Sequence, residues 1–200
     1  MSLSSRMILV LTSVGLISGA FLAGVGVLTK ERIALNKKRE IEAAIIKVVP
    51  GAVQNRKLYE EEDLTVYAGE DPSGEILGYA VHATGVGFQD KITLMFGVDA
   101  AIAKIRALTI LEQRETPGLG AKITDRDVFL RFWEDRDASG ALTLRKPPAA
   151  SPEDLAPNEI NTITGATISS TKVLDIVNLS LERLRALQKE GHLVGGEDVN

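Results

Sequence analysis

Residues 7–28 form an unbroken run of 22 uncharged residues, rich in Leu, Val, Ile, Ala and Gly. As an α-helix, a run of this length reaches about 33 Å, which is enough to cross the hydrocarbon core of a bilayer. A cleavable signal peptide is the alternative, since Arg6 precedes the run and small residues lie within it. The run is longer than a usual signal core and continues into a charged helical stretch. We therefore predict an uncleaved membrane anchor at residues 7–29.

Basic residues are distributed unevenly about this run. Arg6 stands alone before it, whereas five basic residues follow it: Lys30, Arg32, Lys37, Lys38 and Arg39. The positive-inside rule counts lysine and arginine and gives little weight to acidic residues. Taken alone, this count predicts that the domain after the anchor lies in the cytoplasm.

The composition restricts the chemistry that the chain can perform. A net charge of −4 without a large block of one sign gives no electrostatic footprint for nucleic acid. The absence of cysteine excludes disulfides, thiol catalysis, iron–sulfur ligation and attached c-type haem. His82 and His192 are far apart and have no partner at metal-ligand spacing, so no metal site is predicted. A redox function would therefore require an organic cofactor.

The pattern of apolar residues and turn signals predicts an α+β fold with a largely antiparallel sheet and flanking helices. Residues 31–49 are predicted to continue the anchor as a helix that ends at Val49-Pro50-Gly51. Its apolar residues would pack on the domain: Ala43, Ala44, Ile45, Ile46 and Val48. The predicted strands are 64–68, 75–83, 92–98, 102–111 and 142–144, with a flexible corner at 84–88 and a surface connection at 147–157.

Two helices are predicted in the second half of the chain. Thr124-Asp125-Arg126-Asp127 resembles a capping box and should open a short helix, with Val128, Phe129, Phe132 and Trp133 contributing to the core. A long amphipathic helix follows residue 168 and ends near Gly191, with a flexible tail at 191–200. We expect this long helix to begin near Ser169 or Ser170, because serine is a good N-cap residue.

The motif Thr164-Gly165-Ala166-Thr167 precedes that helix directly. Gly165 tolerates a positive φ and Ala166 adds little bulk, so the backbone can approach a ligand closely. The free N–H groups and the positive dipole end of the helix would favour a phosphate beside Thr167. A polar turn that caps an ordinary helix is the alternative interpretation of these four residues.

A second loop, Glu115-Thr116-Pro117-Gly118-Leu119-Gly120, follows the strand predicted to end near residue 111. Pro117 fixes one φ and the two glycines allow a tight turn, so the loop could present Thr116 and Leu119 to a flat ligand. A purely structural turn is the alternative. Glu115 could relay protons, although a solvated loop carboxylate is the interpretation that we favour for it.

The chain resembles the FMN-binding domain of the G subunit of Rnf-type electron-transport complexes. The resemblance is carried, in order, by the anchor, Gly85-Val86-Gly87, the 115–120 loop and the 164–167 motif. The C subunit of sodium-translocating NADH:quinone reductases shares these motifs. The resemblance implies that a membrane-associated flavin transferase links FMN by a phosphoester bond to the last threonine of the motif, Thr167. It further implies a cofactor site that includes Thr164, Gly165, Ala166, Ser169, Glu115, Thr116, Gly118, Leu119, Gly120, Gly85 and Gly87.

The function implied by the resemblance is a membrane-anchored flavoprotein subunit that relays electrons through covalent FMN. Its complex would couple electron transfer between ferredoxin and NAD to Na⁺ or H⁺ movement, and would include a second flavin-bearing membrane subunit. No catalytic residue and no stand-alone turnover are predicted. The alternatives are a component of a quinone reductase that resembles its C subunit, another FMN-domain regulator or reductase component, and a non-redox anchored module that binds a ligand or organises partner subunits.

The resemblance also sets the expected organisation of the chain. It implies a cytoplasmic segment at 1–6, a connecting helix at 30–50 and an FMN-binding domain at 51–190 on the extracytoplasmic side, against the charge count above. The family commonly has an aspartate three residues before the motif, where this chain has Asn161. We expect the flavin transferase to recognise Asn161 less well.

Overall fold

A computed structural model describes residues 2–193, which form two compact units that divide between Glu42 and Ala43. Helix α1 (Leu3–Val48) begins in the first unit and ends in the second. An 18-residue window of α1 has a mean hydropathy of 2.2, and none of this window is buried. By length and composition, α1 is the one candidate membrane span among the residues described. The predicted domain boundaries at residues 29, 50 and 190 remain predictions.

The second unit is built on a six-stranded antiparallel sheet whose strands follow one another in chain order. The strands are β1 (Gln54–Glu60), β2 (Leu64–Glu70), β3 (Ile76–Val86), β4 (Lys91–Asp99), β5 (Lys104–Glu112) and β6 (Arg136–Asp137). The prediction of a largely antiparallel sheet in an α+β fold is confirmed. Sequence reasoning missed β1, because this edge strand is mostly polar and exposed, and β6, because it has only two residues.

One face of the sheet is covered by helix α2 (Thr167–Lys189) and by two short 3-10 helices, Gly120–Thr124 and Leu130–Trp133. Inward-facing residues of the central strands form one continuous core with the apolar side of α2. The predicted aromatic contribution to this core is confirmed for three residues, since Phe129, Phe132 and Trp133 are buried. Val128 remains 36% exposed.

The capping box predicted at residues 124–127 does not open an α-helix. Thr124 ends the first 3-10 helix, and the Asp125 carboxylate accepts hydrogen bonds from the N–H groups of Asp127 and Val128 at 2.8 and 3.2 Å. These bonds close a turn that leads into the second 3-10 helix. The predicted capping box is therefore wrong: Asp125 supplies the side-chain acceptor, and the Thr124 hydroxyl donates to the carbonyl oxygen of Ala121 at 2.9 Å.

The predicted flexible corner at 84–88 is also wrong in its first part. Thr84, Gly85 and Val86 lie inside β3 and pair with Thr93, Ile92 and Lys91 of β4. A Cβ atom on Gly85 would lie 2.4 Å from Cγ1 of Ile176 in α2, so glycine is required there by the close approach of the helix. Only Gly87 and Phe88 belong to the connection between the strands.

The opposite face of the sheet is covered by the last turns of α1. Ala44, Ile45 and Val48 are buried as predicted, whereas Ala43 and Ile46 remain exposed because they point away from the sheet side of the helix. The backbone of α1 comes so close to β4 that a Cβ on Gly97 would lie 1.8 Å from the carbonyl oxygen of Val48. Glycine at position 97 therefore allows the end of the helix to dock.

A smaller parallel sheet joins β7 (Thr143–Arg145) and β8 (Glu159–Asn161) beside the main one. The strand predicted at 142–144 is therefore present, while its partner was missed because β8 is only three residues long. The surface connection between them contains one 3-10 turn, Pro152–Asp154. Helix α2 ends at Lys189, close to the predicted Gly191, and the part of the predicted tail from residue 194 on lies outside the described residues.

The substitution Gly97→Ala should lower the free energy of unfolding by about 1–3 kcal/mol, because the added methyl group forces the last turn of α1 away from β4. Gly140→Ala is the matched control, since a Cβ there meets no atom within 4 Å. Urea unfolding of the detergent-solubilised chain, followed by the fluorescence of Trp133, measures both. Equal midpoints for the two variants would contradict the docking of α1 at Gly97.

Candidate functional site

A cleft of about 390 Å³ lies at the N-terminal end of α2. Three chain segments line it: the connection after β3, the loop after β5, and the turn that enters α2. The lining residues are Phe88, Glu115, Thr116, Leu119, Gly120, Gly165, Ala166, Thr167, Ile168 and Ser169. The tertiary structure therefore brings the two loops predicted from the sequence to the walls of a single cleft.

The turn before α2 is open, as its small residues predicted. Gly165 has a φ of +81°, a conformation that favours glycine, and its position faces Cδ2 of Leu119 across the cleft. Thr167 is partly exposed and Thr164 is exposed. Thr164 lies outside the cleft, at the edge of a neighbouring depression of about 260 Å³.

Helix α2 begins at Thr167, so the prediction that it begins near Ser169 or Ser170 is wrong. Both serines are buried in the first turn, where their hydroxyl groups make tertiary and local bonds and do not cap the helix. Ser170 Oγ donates to the carbonyl oxygen of Ala166 at 3.1 Å and accepts from the N–H of Ile163 at 3.2 Å. The first N–H groups of α2 have no intrahelical partner and lie at Thr167 itself.

The 115–120 loop is held as a tight turn. Gly118 has a φ of +76°, and the carbonyl oxygen of Thr116 accepts from the N–H groups of Leu119 and Ala121, both at 3.1 Å. The Thr116 hydroxyl accepts a bond of 3.1 Å from Nε2 of Gln89. This turn leaves the Leu119 side chain 49% exposed within the cleft, as a loop that presents an apolar side chain to a flat ligand would require.

Glu115 is not the solvated loop carboxylate that we favoured from the sequence, because it is only 4% exposed. Its Oε1 accepts from the backbone N–H groups of Phe88 and Gln89 at 2.8 and 3.1 Å. Its Oε2 accepts from the hydroxyl group of Ser169 at 2.6 Å. The carboxylate therefore connects all three segments that line the cleft.

Four of the twelve predicted cofactor residues do not line the cleft: Thr164, Gly118, Gly85 and Gly87. Gly85 packs against α2, and Gly87 lies beneath the Glu115 carboxylate. Sequence reasoning missed Phe88 and Ile168, which are 57% and 53% exposed and contribute apolar surface to the cleft. An apolar residue within the polar stretch 167–171 was the available signal for Ile168, whereas nothing in the sequence distinguished Phe88.

Asn161, the residue that departs from the resembled pattern, is buried three residues before the 164–167 motif. Its Oδ1 accepts from the N–H of Ala149 at 2.8 Å, and its Nδ2 donates to the carbonyl oxygen of the same residue at 3.2 Å. Both halves of the amide are thus used to attach the 146–150 segment to β8.

Ionic groups suited to metal binding do not cluster in residues 2–193, where no three His, Cys, Asp or Glu side chains could jointly hold a metal ion. His192 lies 3.7 Å from the carboxylate of Glu190 near the end of α2, remote from the cleft. The residues that line the cleft supply hydroxyl groups, apolar side chains and the buried carboxylate of Glu115.

Comparison with known proteins gives a family match and two informative relatives. The family model of the FMN-binding domain matches residues 87–182. The chain is similar to the G subunit of the ion-translocating oxidoreductase complex of Methanosarcina acetivorans, with 26% identity over 91% of this chain and 95% of that relative. It is also similar to the G subunit of the Na⁺-translocating ferredoxin:NAD⁺ oxidoreductase complex of Acetobacterium woodii, with 32% identity over 64% of this chain and 59% of that relative.

Two solved structures also match part of the chain. NqrC of Shewanella oneidensis matches with a TM-score of 0.49 and 18% identity, over 68% of this chain and 72% of that one. The C subunit of the Na⁺-translocating NADH-quinone reductase of Parabacteroides distasonis matches with the same TM-score and 20% identity, over 67% of this chain and 64% of that one.

The substitution Asn161→Asp should lower the free energy of unfolding by about 1–3 kcal/mol. The new carboxylate would have no N–H group to donate and would face the carbonyl oxygen of Ala149. The exposed Asn55→Asp is the control and should change stability by less than about 0.5 kcal/mol. Thermal unfolding of both variants tests this expectation, and a stability of Asn161→Asp equal to that of the control would show that the amide pair contributes nothing.

Proposed function

We propose, from the match of residues 87–182 to the model of the FMN-binding domain family, that the chain is a membrane-anchored flavoprotein subunit of an Rnf-type complex. It relays electrons within an ion-translocating oxidoreductase and performs no turnover alone. Both relatives are named as G subunits of ion-translocating complexes, and the similarity to the Methanosarcina protein covers nearly the whole chain. Helix α1 supplies the membrane anchor in this proposal.

The observation that carries the proposal is the convergence of the 115–120 loop and the 164–167 motif on one cleft. The cleft volume of about 390 Å³ falls within the range of small-molecule pockets, about 300–1,000 Å³. Its walls combine apolar side chains with glycine and alanine positions where backbone can approach a ring. The residues present therefore fit a flat cofactor that carries a phosphate at one end.

We propose Thr167 as the residue that carries the phosphoryl group of FMN. Its hydroxyl is partly exposed at the first turn of α2 and makes no hydrogen bond with any other part of residues 2–193. The N–H groups of that turn and the helix dipole would stabilise the single negative charge that the two free oxygens of the phosphodiester share at this position. A phosphoester link also removes the entropic cost of retaining the cofactor between electron transfers.

The other cleft residues hold and orient the ring in this proposal. Leu119, Phe88 and Ile168 provide apolar contact, and the Thr116 hydroxyl offers a polar contact at the edge of the same wall. FMN, when bound, supplies the electron-transfer chemistry, and the chain supplies its orientation and electrostatic surroundings. Because these apolar side chains are half-exposed, they leave the ring side of the cleft accessible to electron donors and acceptors.

The partners follow from the same proposal. A flavin transferase must reach Thr167 to attach the cofactor, and the other subunits of the membrane complex, including a second flavin-bearing one, must reach the cleft. We place the domain on the extracytoplasmic side, where the attachment chemistry of the family takes place. The basic residues after the anchor oppose this orientation, so it requires its own experiment.

Covalent attachment can be tested by intact mass. Coexpression with an active flavin transferase should add the mass of FMN less one water to the wild-type chain, and Thr167→Ala should abolish this gain. Thr171→Ala is the matched control, since Thr171 lies one turn further along α2 and its hydroxyl donates to the carbonyl oxygen of Thr167. A gain that persists in Thr167→Ala would remove Thr167 as the acceptor, and no gain in the wild type would contradict covalent attachment.

The orientation can be tested by cysteine labelling, because the chain has no cysteine of its own. Gly140→Cys lies in an exposed turn with open space around it, and Ser4→Cys lies before the apolar run. A membrane-impermeant maleimide should label Gly140→Cys in spheroplasts and should label Ser4→Cys only after lysis. The reverse pattern would place the domain in the cytoplasm, as the count of basic residues predicts.

A further inference from the structure

We propose that Glu115 is a positioning residue that holds the three walls of the cleft together through its carboxylate. This inference rests on the proposed function for its consequence, the orientation of FMN, but its structural part can be tested without the cofactor. Its side chain is almost completely buried within the wall of the cleft, and its role is to fix where the ring-contacting and phosphate-contacting segments lie.

The carboxylate joins segments that are distant in sequence. Phe88 and Gln89, whose N–H groups donate to Oε1, precede Glu115 by 27 and 26 residues. Ser169, whose hydroxyl donates to Oε2, follows it by 54 residues. Every one of these donors belongs to a segment that lines the cleft or directly adjoins a lining residue. Removing the carboxylate would therefore release the 87–89 connection and the first turn of α2 from the 115–120 loop at the same time.

Two glycines lie so close to the same carboxylate that a side chain at either position would collide with it. A Cβ on Gly87 would lie 2.5 Å from Oε1 of Glu115, and a Cβ on Gly120 would lie 2.7 Å from its Oε2 and 2.5 Å from Oγ of Ser169. Neither glycine has a φ in the left-handed region. Glycine is therefore needed at these positions because a Cβ would have no room, and not because of the backbone conformation. The absence of a Cβ at Gly120 and Gly87 therefore leaves room for the Glu115 side chain, and at Gly87 it also leaves room for the carbonyl oxygen of Asp90, 2.5 Å from the same position.

The Glu115 carboxylate is contacted by neutral hydrogen-bond donors. None of the ion pairs within residues 2–193 includes it, and its carboxylate accepts all three of its hydrogen bonds from neutral N–H or O–H donors. Ser169 is the third residue of α2, so the carboxylate also lies at the positive end of that helix. A buried acid stabilised in this way is rigid, because moving it would leave several donors unpaired.

The alternative role, direct contact with the cofactor, is not supported by the exposure of this side chain. Only 4% of Glu115 is exposed and both oxygens are already occupied by protein donors. The adjoining Thr116 and Leu119 present their side chains to the cleft, and Glu115 anchors the loop from which they extend. This division of roles distinguishes a positioning residue from a ligand-binding one.

The test uses the full chain in detergent with four variants. Glu115→Ala removes the carboxylate, whereas Glu115→Gln keeps an oxygen for Phe88 and Gln89 and an amide that can donate to Ser169 Oγ. Ser169→Ala removes one of the three bonds. Ser180→Ala is its matched control, because Ser180 is also a buried serine of α2 but bonds only to the carbonyl oxygen of Ile176.

The first measurement is hydrogen exchange at the amides of Phe88 and Gln89, without flavin. Among the described residues, the Glu115 carboxylate is the acceptor of both N–H groups, so their amide protection depends on these bonds. We expect Glu115→Ala to speed exchange about tenfold or more, and Glu115→Gln to restore most of the protection. Ser169→Ala should speed exchange measurably while Ser180→Ala matches the wild type. Wild-type protection in Glu115→Ala would overturn the proposal.

The second measurement is made after coexpression with the flavin transferase: the fraction of chain that carries FMN and the visible circular dichroism of the flavin. Glu115→Ala should lower the fraction and flatten the dichroism, and Glu115→Gln should recover both in large part. Loss of flavin in Glu115→Ala with amide protection intact would overturn positioning in favour of direct contact. If Glu115→Ala fails to fold, the comparison of Ser169→Ala with Ser180→Ala tests the proposal instead. Equal amide exchange and equal flavin content in these two variants would then overturn it. A wild-type chain without flavin would contradict the proposed function, and the exchange result would still decide the role of Glu115.

Discussion

The packing of α2 across the face of β3 determines where everything else in the domain lies. Ile176 fits over Gly85, and the apolar side of the helix continues the core formed by the central strands. This contact fixes the axis of α2 and therefore the position of its N-terminal turn. Burial of several Leu, Val and Ile side chains provides the energy, at about 1.5–3 kcal/mol for each fully buried side chain. The cleft exists because that N-terminal turn stops opposite the loop that follows β5.

Buried polar contacts determine how the loops are arranged once apolar packing has brought α2 and the sheet together. Apolar burial is non-directional. It therefore fixes the distance between α2 and the sheet, but it constrains the arrangement of the loops at the ends of these elements less strongly. The Glu115 carboxylate and the Asn161 amide are both buried and both join segments distant in sequence. Hydrogen bonds at such sites are directional and costly to leave unmade, and they therefore specify one arrangement of the loops.

The predictions that held were those based on local chemistry. The apolar run, the antiparallel strands, the glycine turn at residue 165 and the aromatic part of the core all depend on residues close together in sequence. The errors concern Ser169, Ser170 and Glu115, which looked like a helix cap and a solvated carboxylate. Each is a polar residue whose partner lies elsewhere in the chain, so local propensity assigned it to the wrong environment. Gly85 and Gly87 do not line the cleft, and the atoms that a Cβ on either would meet come from α2, from the loop after β5 and from residues 90–92.

The sequence by itself determined the α+β class, the candidate membrane helix, the absence of cysteine chemistry and the two loops that carry the family resemblance. These properties follow from composition, periodicity and turn-forming residues, which act over a few positions. Only the tertiary structure decided that the two loops share one cleft, that Phe88 and Ile168 line it, and that the Glu115 carboxylate is buried in its wall. Those properties depend on which distant segments come within hydrogen-bond or van der Waals distance, and this is set by the packing of α2 on the sheet.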